Sequence, residues 1–204
     1  DLLTNYNKHI LPTQINSPVN LELGIALRAI NEIDQIEGMV TCNVWLRYFW
    51  KDEYLTWNPT NYSNITELTM ETEPSLDSSV WIPDIYLYNT GEKPMENLDY
   101  SRAVIYNDGR VLWSRPGLIR STCRFDLNMF PYDVQNCTLK FGSWAYHKTL
   151  LNLSLYDISI DISNYQENDA WELINYESEY SEQKYACCPE IYPDVKFHFT
   201  IQRK

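Results

Sequence analysis

The chain has 204 residues, of which 44% are hydrophobic and 22% are charged, proportions that favour a folded domain and exclude bulk disorder. Its 16 lysines and arginines stand against 28 aspartates and glutamates, and the net charge of −12 leaves no basic face for nucleic acid. The chain has no glycine-rich motif for a dinucleotide or a phosphate, and no apolar run reaches the roughly 18 residues of a membrane helix. The length predicts that residues 1–204 form one domain.

The predicted elements begin with a helix over residues 1–11, where apolar residues recur at helical spacing before Pro12. Beyond Pro12 the dominant period is two, and it predicts strands at 19–30, 39–50, 80–88, 102–106, 110–114, 118–125, 136–142, 153–160, 171–177 and 195–202. The sequence Asn107-Asp108-Gly109 predicts a hairpin, and Arg115-Pro116-Gly117 predicts a turn. The pattern predicts a mainly β fold, in which an N-terminal α-helix caps a twisted antiparallel β-sandwich of about ten strands, similar to an immunoglobulin domain.

Five cysteines suggest two pairs and one left over. Cys123 and Cys137 enclose a short loop, whose closure contributes roughly 3 kcal/mol in the chain-entropy model. Cys187 and Cys188 are neighbours, so a bond between them would close a small strained ring that needs a local purpose. Cys42 lies in a predicted strand, where a buried unpaired thiol is the better interpretation.

Four acceptor sequences for N-glycosylation occur, at Asn61, Asn64, Asn136 and Asn152. Together with an apparent disulfide framework, they favour the secretory pathway and an extracellular location. The alternative is a cytosolic protein with coincidental acceptor sequences and reduced thiols.

Motifs for catalysis are weak. His9, His147 and His198 form no zinc-binding motif, and Gly142-Ser143 lacks the frame of a nucleophile elbow. We therefore expect no enzyme, no bound metal and no cofactor.

The aromatic content is more informative, because tyrosines flank the adjacent cysteines in YACCPEIY. A stiffened hairpin tip carrying Tyr185 and Tyr192 explains this segment better than a core strand does. Electron-rich rings that face one small space can cage an ammonium group, at up to about 2 kcal/mol for each desolvated contact. Residues 165–194 add eight acidic side chains against Lys184, either as a solvated surface or as a rim that concentrates cations.

The segment CRFDLNMFPYDVQNC, from Cys123 to Cys137, resembles the signature of the Cys-loop ligand-gated ion channels. Cys187-Cys188 between Tyr185 and Tyr192 is similar to the ligand-binding loop of nicotinic acetylcholine receptor alpha-type subunits and of acetylcholine-binding proteins. The resemblance covers nearly the whole chain. It implies a homopentameric ring that binds acetylcholine-like or nicotine-like cationic amines between subunits, with no nucleic acid as partner. A secreted binding protein and the ectodomain of a membrane receptor both fit, since the Phe130-Pro131-Tyr132 tip is receptor-like whereas the chain stops at Lys204.

The resemblance also implies the site residues. One subunit would contribute a principal set, formed by Tyr88, Trp144, Tyr185, Cys187, Cys188 and Tyr192. Its neighbour would contribute a complementary set, formed by Trp45, Arg47, Val104, Leu112 and Ser114. Lys140, Tyr185 and Asp194 match a polar trio that relays closure of the cysteine-bearing loop in receptors. The disulfides would be Cys123–Cys137 and Cys187–Cys188, with a cis bond before Pro131.

The chain departs from the family pattern at three places near the site. Arg47 stands where many relatives have a neutral residue, and a cation there would oppose a cationic ligand. His147 and Lys148 follow the loop that carries Trp144, where several relatives have glycine. The competing hypothesis is a secreted adhesion or carbohydrate-binding sandwich without an amine site, for which the adjacent cysteines would serve no purpose.

Overall fold

The computed structural model describes residues 2–13, 17–72, 79–90 and 98–204, apart from the side chain of Ile158. Ten strands occur in the described residues, together with a short 3₁₀ turn at Pro59–Asn61. The strands are β1 (Val19–Asp34), β2 (Met39–Thr56), β3 (Glu67–Met70), β4 (Ile85–Leu87), β5 (Ala103–Tyr106), β6 (Asp108–Thr122), β7 (Val134–Ser143), β8 (Leu151–Asp161), β9 (Trp171–Lys184) and β10 (Ile191–Arg203). Among these residues no helix has the length and apolarity needed to cross a membrane.

The strands form two sheets of a sandwich, as predicted. The larger sheet has six strands in the order β3-β5-β6-β2-β1-β8, and the smaller sheet has four in the order β4-β7-β10-β9. The expectation of a wholly antiparallel fold is wrong at one place, because β1 and β8 run parallel, with Val19 opposite Leu151. The chain passes through the smaller sheet before β8 joins the edge of the larger one, so no hairpin forces the two strands to be antiparallel.

Alternating burial along β2 shows how the core forms. Val44, Leu46 and Tyr48 are buried between the sheets, whereas Trp45 and Arg47 lie on the opposite face. Burial of each large apolar side chain contributes about 1.5–3 kcal/mol. We call the face of the larger sheet that carries Trp45 and Arg47 its outer face.

Cys42 lies in the same core as a free thiol, and its burial raises its pKa to about 12. Both predicted disulfides are present, between Cys123 and Cys137 and between Cys187 and Cys188.

The N-terminal segment contradicts the predicted helix, because residues 2–5 and 8–9 form turns and residues 6–7 have no regular structure. The amide of Tyr6 donates to the carbonyl of Leu3 at 3.1 Å, and the bond is not continued because Asn5 adopts a left-handed conformation with φ 68. Asparagine tolerates that conformation and so ends a nascent helix. The apolar spacing serves packing instead, and the Tyr6 hydroxyl donates to the buried Asp52 carboxylate at 2.5 Å.

Of the two turns predicted from the sequence, one is confirmed and the other is wrong. The predicted hairpin is confirmed, with Val104 opposite Leu112 and Gly109 at φ 86. The turn predicted at 115–117 is wrong, because β6 runs through it and places Pro116 opposite Trp45. Gly117 makes this passage possible at φ 149, a value that residues with a side chain rarely adopt.

Two further boundaries differ from the prediction. The strand expected at 80–88 is reduced to β4, since Pro83 cannot donate a backbone hydrogen bond to a neighbouring strand. The pattern also missed β3, an edge strand of only four residues that pairs with β5.

Candidate functional site

A cavity of about 430 Å³ opens beside the end of β7 and the tip that joins β9 to β10. Its lining consists mainly of aromatic rings and the adjacent cysteines, namely Tyr88, Lys140, Ser143, Trp144, Tyr185, Cys187, Cys188 and Tyr192. The structure thus brings together all six residues of the predicted principal set.

Trp144 is held out of the core by a turn that Asp84 organises. The carboxylate of Asp84 accepts hydrogen bonds from the Ser143 hydroxyl at 2.6 Å and from the Ala145 amide at 2.7 Å. Burial raises the pKa of Asp84, while these hydrogen bonds act in the opposite direction. The Trp144 side chain remains 75% exposed, so its ring is available to a ligand.

Tyr88 forms the floor of the cavity against β7. Its hydroxyl donates to the Ser143 carbonyl at 2.5 Å, and its ring meets Trp144 edge-on at 6.5 Å between centroids. Burial raises the pKa of Tyr88, so the phenol stays neutral. Gly142 allows this packing, since a Cβ atom there would lie 2.5–2.7 Å from atoms of the phenol ring.

The β9–β10 tip supplies the opposite wall. The rings of Tyr185 and Tyr192 are 5.8 Å apart at an interplanar angle of 64°, and Cys187 and Cys188 lie between them in the chain. The Cys188 amide donates to the Tyr185 carbonyl at 3.2 Å, which closes the tip into a compact turn.

The stem of this tip is attached to the residues that follow Trp144. Lys148 Nζ lies 2.5 Å from Glu182 Oε1, which also accepts a hydrogen bond from the Tyr180 hydroxyl at 2.7 Å. The Lys148 amide donates to the Ile191 carbonyl at 2.8 Å. The Lys148 ammonium and the Tyr180 hydroxyl hold the pKa of Glu182 below its usual range.

A second ion pair lies at the cavity wall. Lys140 Nζ is 3.2 Å from Asp194 Oδ2, and Asp194 is 1% exposed and also accepts a hydrogen bond from Ser181 at 2.6 Å. Two members of the implied polar trio are therefore in contact.

The predicted complementary set lies elsewhere, on the outer face of the larger sheet. Arg47 is opposite Ser114, Val104 is opposite Leu112, and Trp45 is 40% exposed. None of the five complementary residues lines the aromatic cavity of the same chain.

Two arginines share the outer face with Trp45. The guanidinium of Arg28 lies over the indole ring, 4.6 Å from its centroid. Arg47 forms an ion pair of 3.0 Å with Asp161. Hydrogen bonds from Ser163, and then the Arg47 guanidinium, hold the pKa of Asp161 below its usual range.

The acidic stretch 165–194 is partly neutralised by cations from other elements. Four of its eight carboxylates have such partners: Glu167 with Lys204, Glu179 with Lys196, Glu182 with Lys148 and Asp194 with Lys140. Among the described residues, no group of three or more histidine, cysteine or acidic side chains is arranged to hold a metal ion.

The acceptor asparagines differ in their surroundings. Asn61, Asn64 and Asn136 are exposed, whereas Asn152 is half-buried and donates a hydrogen bond to Asn20. Asn136 lies in β7 and accepts a hydrogen bond from Thr200.

The Cys123–Cys137 loop presents an apolar tip. Met129, Phe130 and Tyr132 are exposed, and the Phe130–Pro131 bond is cis, as the resemblance implies.

Sequence reasoning missed the residues that position the rings. Asp84 and Glu182 act through hydrogen bonds to distant segments, and Arg28 belongs to no motif. Only Asp84, next to a proline before a short strand, carried a local signal for turn formation.

Comparison with known proteins identifies relatives along the whole chain. Residues 1–204 match the model of the neurotransmitter-gated ion-channel ligand binding domain. The neuronal acetylcholine receptor subunit alpha-2 of Homo sapiens is 37% identical over 203 residues, which is 99% of this chain and 37% of the human subunit. The alpha-2 subunit of Gallus gallus is 36% identical over 99% of this chain and 38% of the relative. The alpha-6 subunit of Mus musculus is 34% identical over 99% of this chain and 40% of the relative. The chain therefore spans somewhat over a third of the length of these receptor subunits.

Proposed function

The chain belongs to the family of neurotransmitter-gated ion-channel ligand-binding domains, and on this premise we propose that it binds small cationic amines of the acetylcholine or nicotine type. The amine would sit in an aromatic box at the interface between two subunits of a homopentamer. As a domain of this family the chain is extracellular, where its two disulfides persist.

The observation that carries the proposal is the exposed indole of Trp144 inside a cavity lined by three tyrosines. A tryptophan face is the strongest aromatic partner for a cation, and each desolvated ring contact is worth up to about 2 kcal/mol. Exclusion of water from such a cavity strengthens the attraction because the local dielectric constant falls.

A neighbouring subunit would supply the missing wall. A ring that is 75% exposed cannot desolvate a ligand by itself, and the complementary set lies on a different surface of the same chain. Two different surfaces that meet head to tail generate a closed ring when the rotation closes. The neighbour's Trp45 would then face Trp144 across the interface.

The overall charge of −12 favours cations before they reach the site. Arg47 would oppose them, but the carboxylate of Asp161 at 3.0 Å neutralises much of its field. The predicted obstacle to a cationic ligand is therefore weakened.

The Trp144→Phe variant tests the box. Phenylalanine keeps an apolar ring but has a weaker quadrupole, so the affinity for acetylcholine should fall by about 1–2 kcal/mol, the scale of a cation–π contact. Because Trp144 is largely exposed, the melting temperature should stay near the wild-type value. Isothermal calorimetry measures the affinity. Trp57→Phe is the control, because Trp57 does not line the cavity.

Unchanged acetylcholine binding in a Trp144→Phe protein that still forms rings would refute the box. Sedimentation at micromolar concentration should report a pentamer, and a monomer alone would count against the interface. Simple sugars serve as the competing ligands, since binding of sugars without amines would favour the carbohydrate-binding alternative.

A secreted binding protein and a receptor ectodomain would use the same site. The exposed apolar tip at Met129, Phe130 and Tyr132 supports the receptor setting, where such a tip would contact a membrane domain.

A further inference from the structure

We propose that an N-linked glycan on Asn61 packs its first sugar against the aromatic rings of a second cavity, which we call the β2–β3 groove. This groove has a volume of about 470 Å³ and shares no described residue with the cavity at Trp144. Its lining includes Tyr54, Trp57, Asn58, Asn61 and Tyr62. The inference does not depend on amine binding.

The acceptor amide of Asn61 is available for modification. Asn61 ends the 3₁₀ turn and is exposed, and its side chain makes no hydrogen bond within the part of the chain that the structure describes. The acceptors Asn136 and Asn152, in contrast, lie in strands and already take part in side-chain hydrogen bonds. Because Asn61 itself lines the groove, a sugar bonded to it starts at the groove wall.

The attachment uses a lipid-linked oligosaccharide of the secretory pathway as donor. The bond between the anomeric carbon of its first N-acetylglucosamine and the lipid pyrophosphate breaks, and a bond from this carbon to Nδ2 of Asn61 forms. The amide loses one proton, and the lipid pyrophosphate leaves with the bonding electron pair. No oxidant or reductant takes part.

Two rings of the groove are fixed before a sugar arrives. The Tyr54 hydroxyl donates to the carbonyl of Thr13 at 2.9 Å, and the Trp57 indole nitrogen donates to the carbonyl of Ile65 at 2.7 Å. With their polar atoms already bonded, these side chains offer carbon surface to a ligand. The C–H groups of a sugar ring suit that surface, because the face of an aromatic ring is electron-rich.

Tyr62 and Asn58 add an adjustable ring and a hydrogen-bond donor. Tyr62 follows the acceptor in the chain and is 45% exposed, and its hydroxyl has no partner among the described residues. Asn58 accepts a hydrogen bond from the Thr60 amide through Oδ1 at 3.1 Å, which leaves its Nδ2 group able to donate to a sugar oxygen. Apolar rings with a few polar groups are the usual lining of a small-molecule site.

A tethered sugar suits this groove better than a free one. A free ligand loses translational and rotational freedom on binding, a cost that a few sugar–ring contacts offset poorly. A sugar bonded to the groove wall has already lost that freedom and acts at a high effective concentration. Asn64 is also an acceptor, but it does not line the groove, so it provides the matched comparison.

The first test asks where the sugar lies in protein secreted from eukaryotic cells that leave high-mannose glycans. Glycopeptide mass spectrometry should find Asn61 occupied. Endoglycosidase H then trims each glycan to its first sugar, which carries an isotope-labelled acetyl methyl group. NMR should show nuclear Overhauser contacts from this methyl group to the rings of Trp57 or Tyr62, with an upfield shift caused by the ring current.

The second test removes the glycan in two ways. Asn61→Gln replaces the acceptor, and Ser63→Ala removes the hydroxyl that the acceptor sequence requires. Each should lower the melting temperature of the secreted protein by about 2–4 °C, the shift expected in a domain of this length when a few weak contacts are lost. Thr66→Ala removes the acceptor sequence of Asn64 and should leave the melting temperature unchanged. Glycan-free proteins from the bacterial periplasm measure the effect of each substitution by itself.

Tyr62→Ala tests the contact while it keeps the acceptor sequence, whose middle residue can be any except proline. Asn61→Gln should no longer lower the melting temperature in this background, because the ring contact is already lost.

An empty Asn61 in the secreted protein would overturn the proposal, and so would an occupied Asn61 whose acetyl methyl group contacts no ring. Equal losses of melting temperature in Asn61→Gln and Thr66→Ala, or a loss in Asn61→Gln that is the same with and without Tyr62, would show that the sugar projects into solvent.

Discussion

The aromatic cavity and the outer face of the larger sheet are built on different principles. The cavity rings stand on turns and on a hairpin tip, held by hydrogen bonds to Asp84 and by the ion pair at Glu182. The outer face presents its side chains from long paired strands, where strand alternation places Trp45 and Arg47 on the same side.

The difference extends to charge. The cavity offers neutral rings whose faces attract a cation, whereas the outer face already carries Arg28 and Arg47 beside its one predicted aromatic residue. In this chain the cavity therefore presents neutral rings, whereas positive charge lies beside Trp45 on the outer face.

The largest expected effect follows from Gly142→Ala, which places a methyl group against the floor of the cavity. The new Cβ would lie 2.5–2.7 Å from the phenol of Tyr88, so this ring must leave its place against β7. We expect affinity for tetramethylammonium to fall about tenfold or more, since a ring contact is worth up to about 2 kcal/mol. Overpacking should also cost about 1–3 kcal/mol of stability.

Calorimetry and thermal unfolding measure the two effects of Gly142→Ala separately. The double variant with Tyr88→Ala removes the clash and should regain stability without regaining affinity. Wild-type affinity in the single variant would contradict the assignment of Tyr88 to the ligand.

A smaller effect is expected on the outer face, from Asp161→Asn. Asparagine can still accept the hydrogen bond from the Ser163 amide, now 3.0 Å, but it no longer neutralises Arg47. Since partly exposed ion pairs are worth about 0.2–1 kcal/mol, the affinity for tetramethylammonium should fall no more than about fivefold.

Salt dependence identifies the cause of this loss. At 0.5 M salt the difference between Asp161→Asn and wild type should shrink, because the Debye length falls below about 10 Å. Arg47→Gln in the same background should restore the affinity. A loss that persists at high salt would show that the substitution acts on the shape of the site.

The same contrast explains what could be predicted from the sequence. Strand alternation places Trp45 and Arg47 on one face without any structure, because the period of two is a property of the extended backbone. The hairpin at Asn107-Asp108-Gly109 was equally predictable from its turn residues.

Contacts between residues distant in sequence could not be predicted from strand alternation or turn residues. The helix predicted over 1–11 had the correct apolar spacing, but Asn5 takes a left-handed conformation and Tyr6 bonds to Asp52. The turn predicted at 115–117 failed because the pairing with β2 extends the backbone through Pro116. In each case tertiary partners decided between local conformations of similar energy.

The site shows the same division. The principal residues were named through a resemblance that rests on motifs, whereas the ion pairs of Glu182 and Asp161 and the stacking of Arg28 depend on side chains distant in sequence. The pairing of β1 with β2 shifts between Leu27 and Ala29, and the resulting bulge at Arg28 has no signature in the alternation of apolar residues.

The smallest expected effect concerns the hairpin that carries Tyr185 and Tyr192. Lys148 attaches the stem of this hairpin to the segment that follows Trp144. Lys148→Gln removes the charge that faces Glu182 while Tyr180 still donates to this carboxylate. The tip should open more readily, and the dissociation rate of an amine in stopped-flow experiments should rise only a few-fold, since exposed ion pairs contribute little. Lys148→Arg keeps the charge and is the matched control.

The ion pair between Lys148 and Glu182 should also depend on pH, and the lowered pKa of Glu182 gives the direction of that dependence. A carboxylate whose pKa is lowered in the folded chain stabilises it above the unfolded pKa, near 4.3 for glutamate, and this contribution is lost as the pH falls through the lowered value. The attachment should therefore persist in wild type at a pH where an ordinary glutamate is half protonated. In Lys148→Gln the pKa of Glu182 should rise towards its usual value, as carboxyl NMR titration can measure. An identical titration of Glu182 in the two proteins would show that Lys148 does not hold the tip, and that the shape of the tip is set by its disulfide and its tyrosines alone.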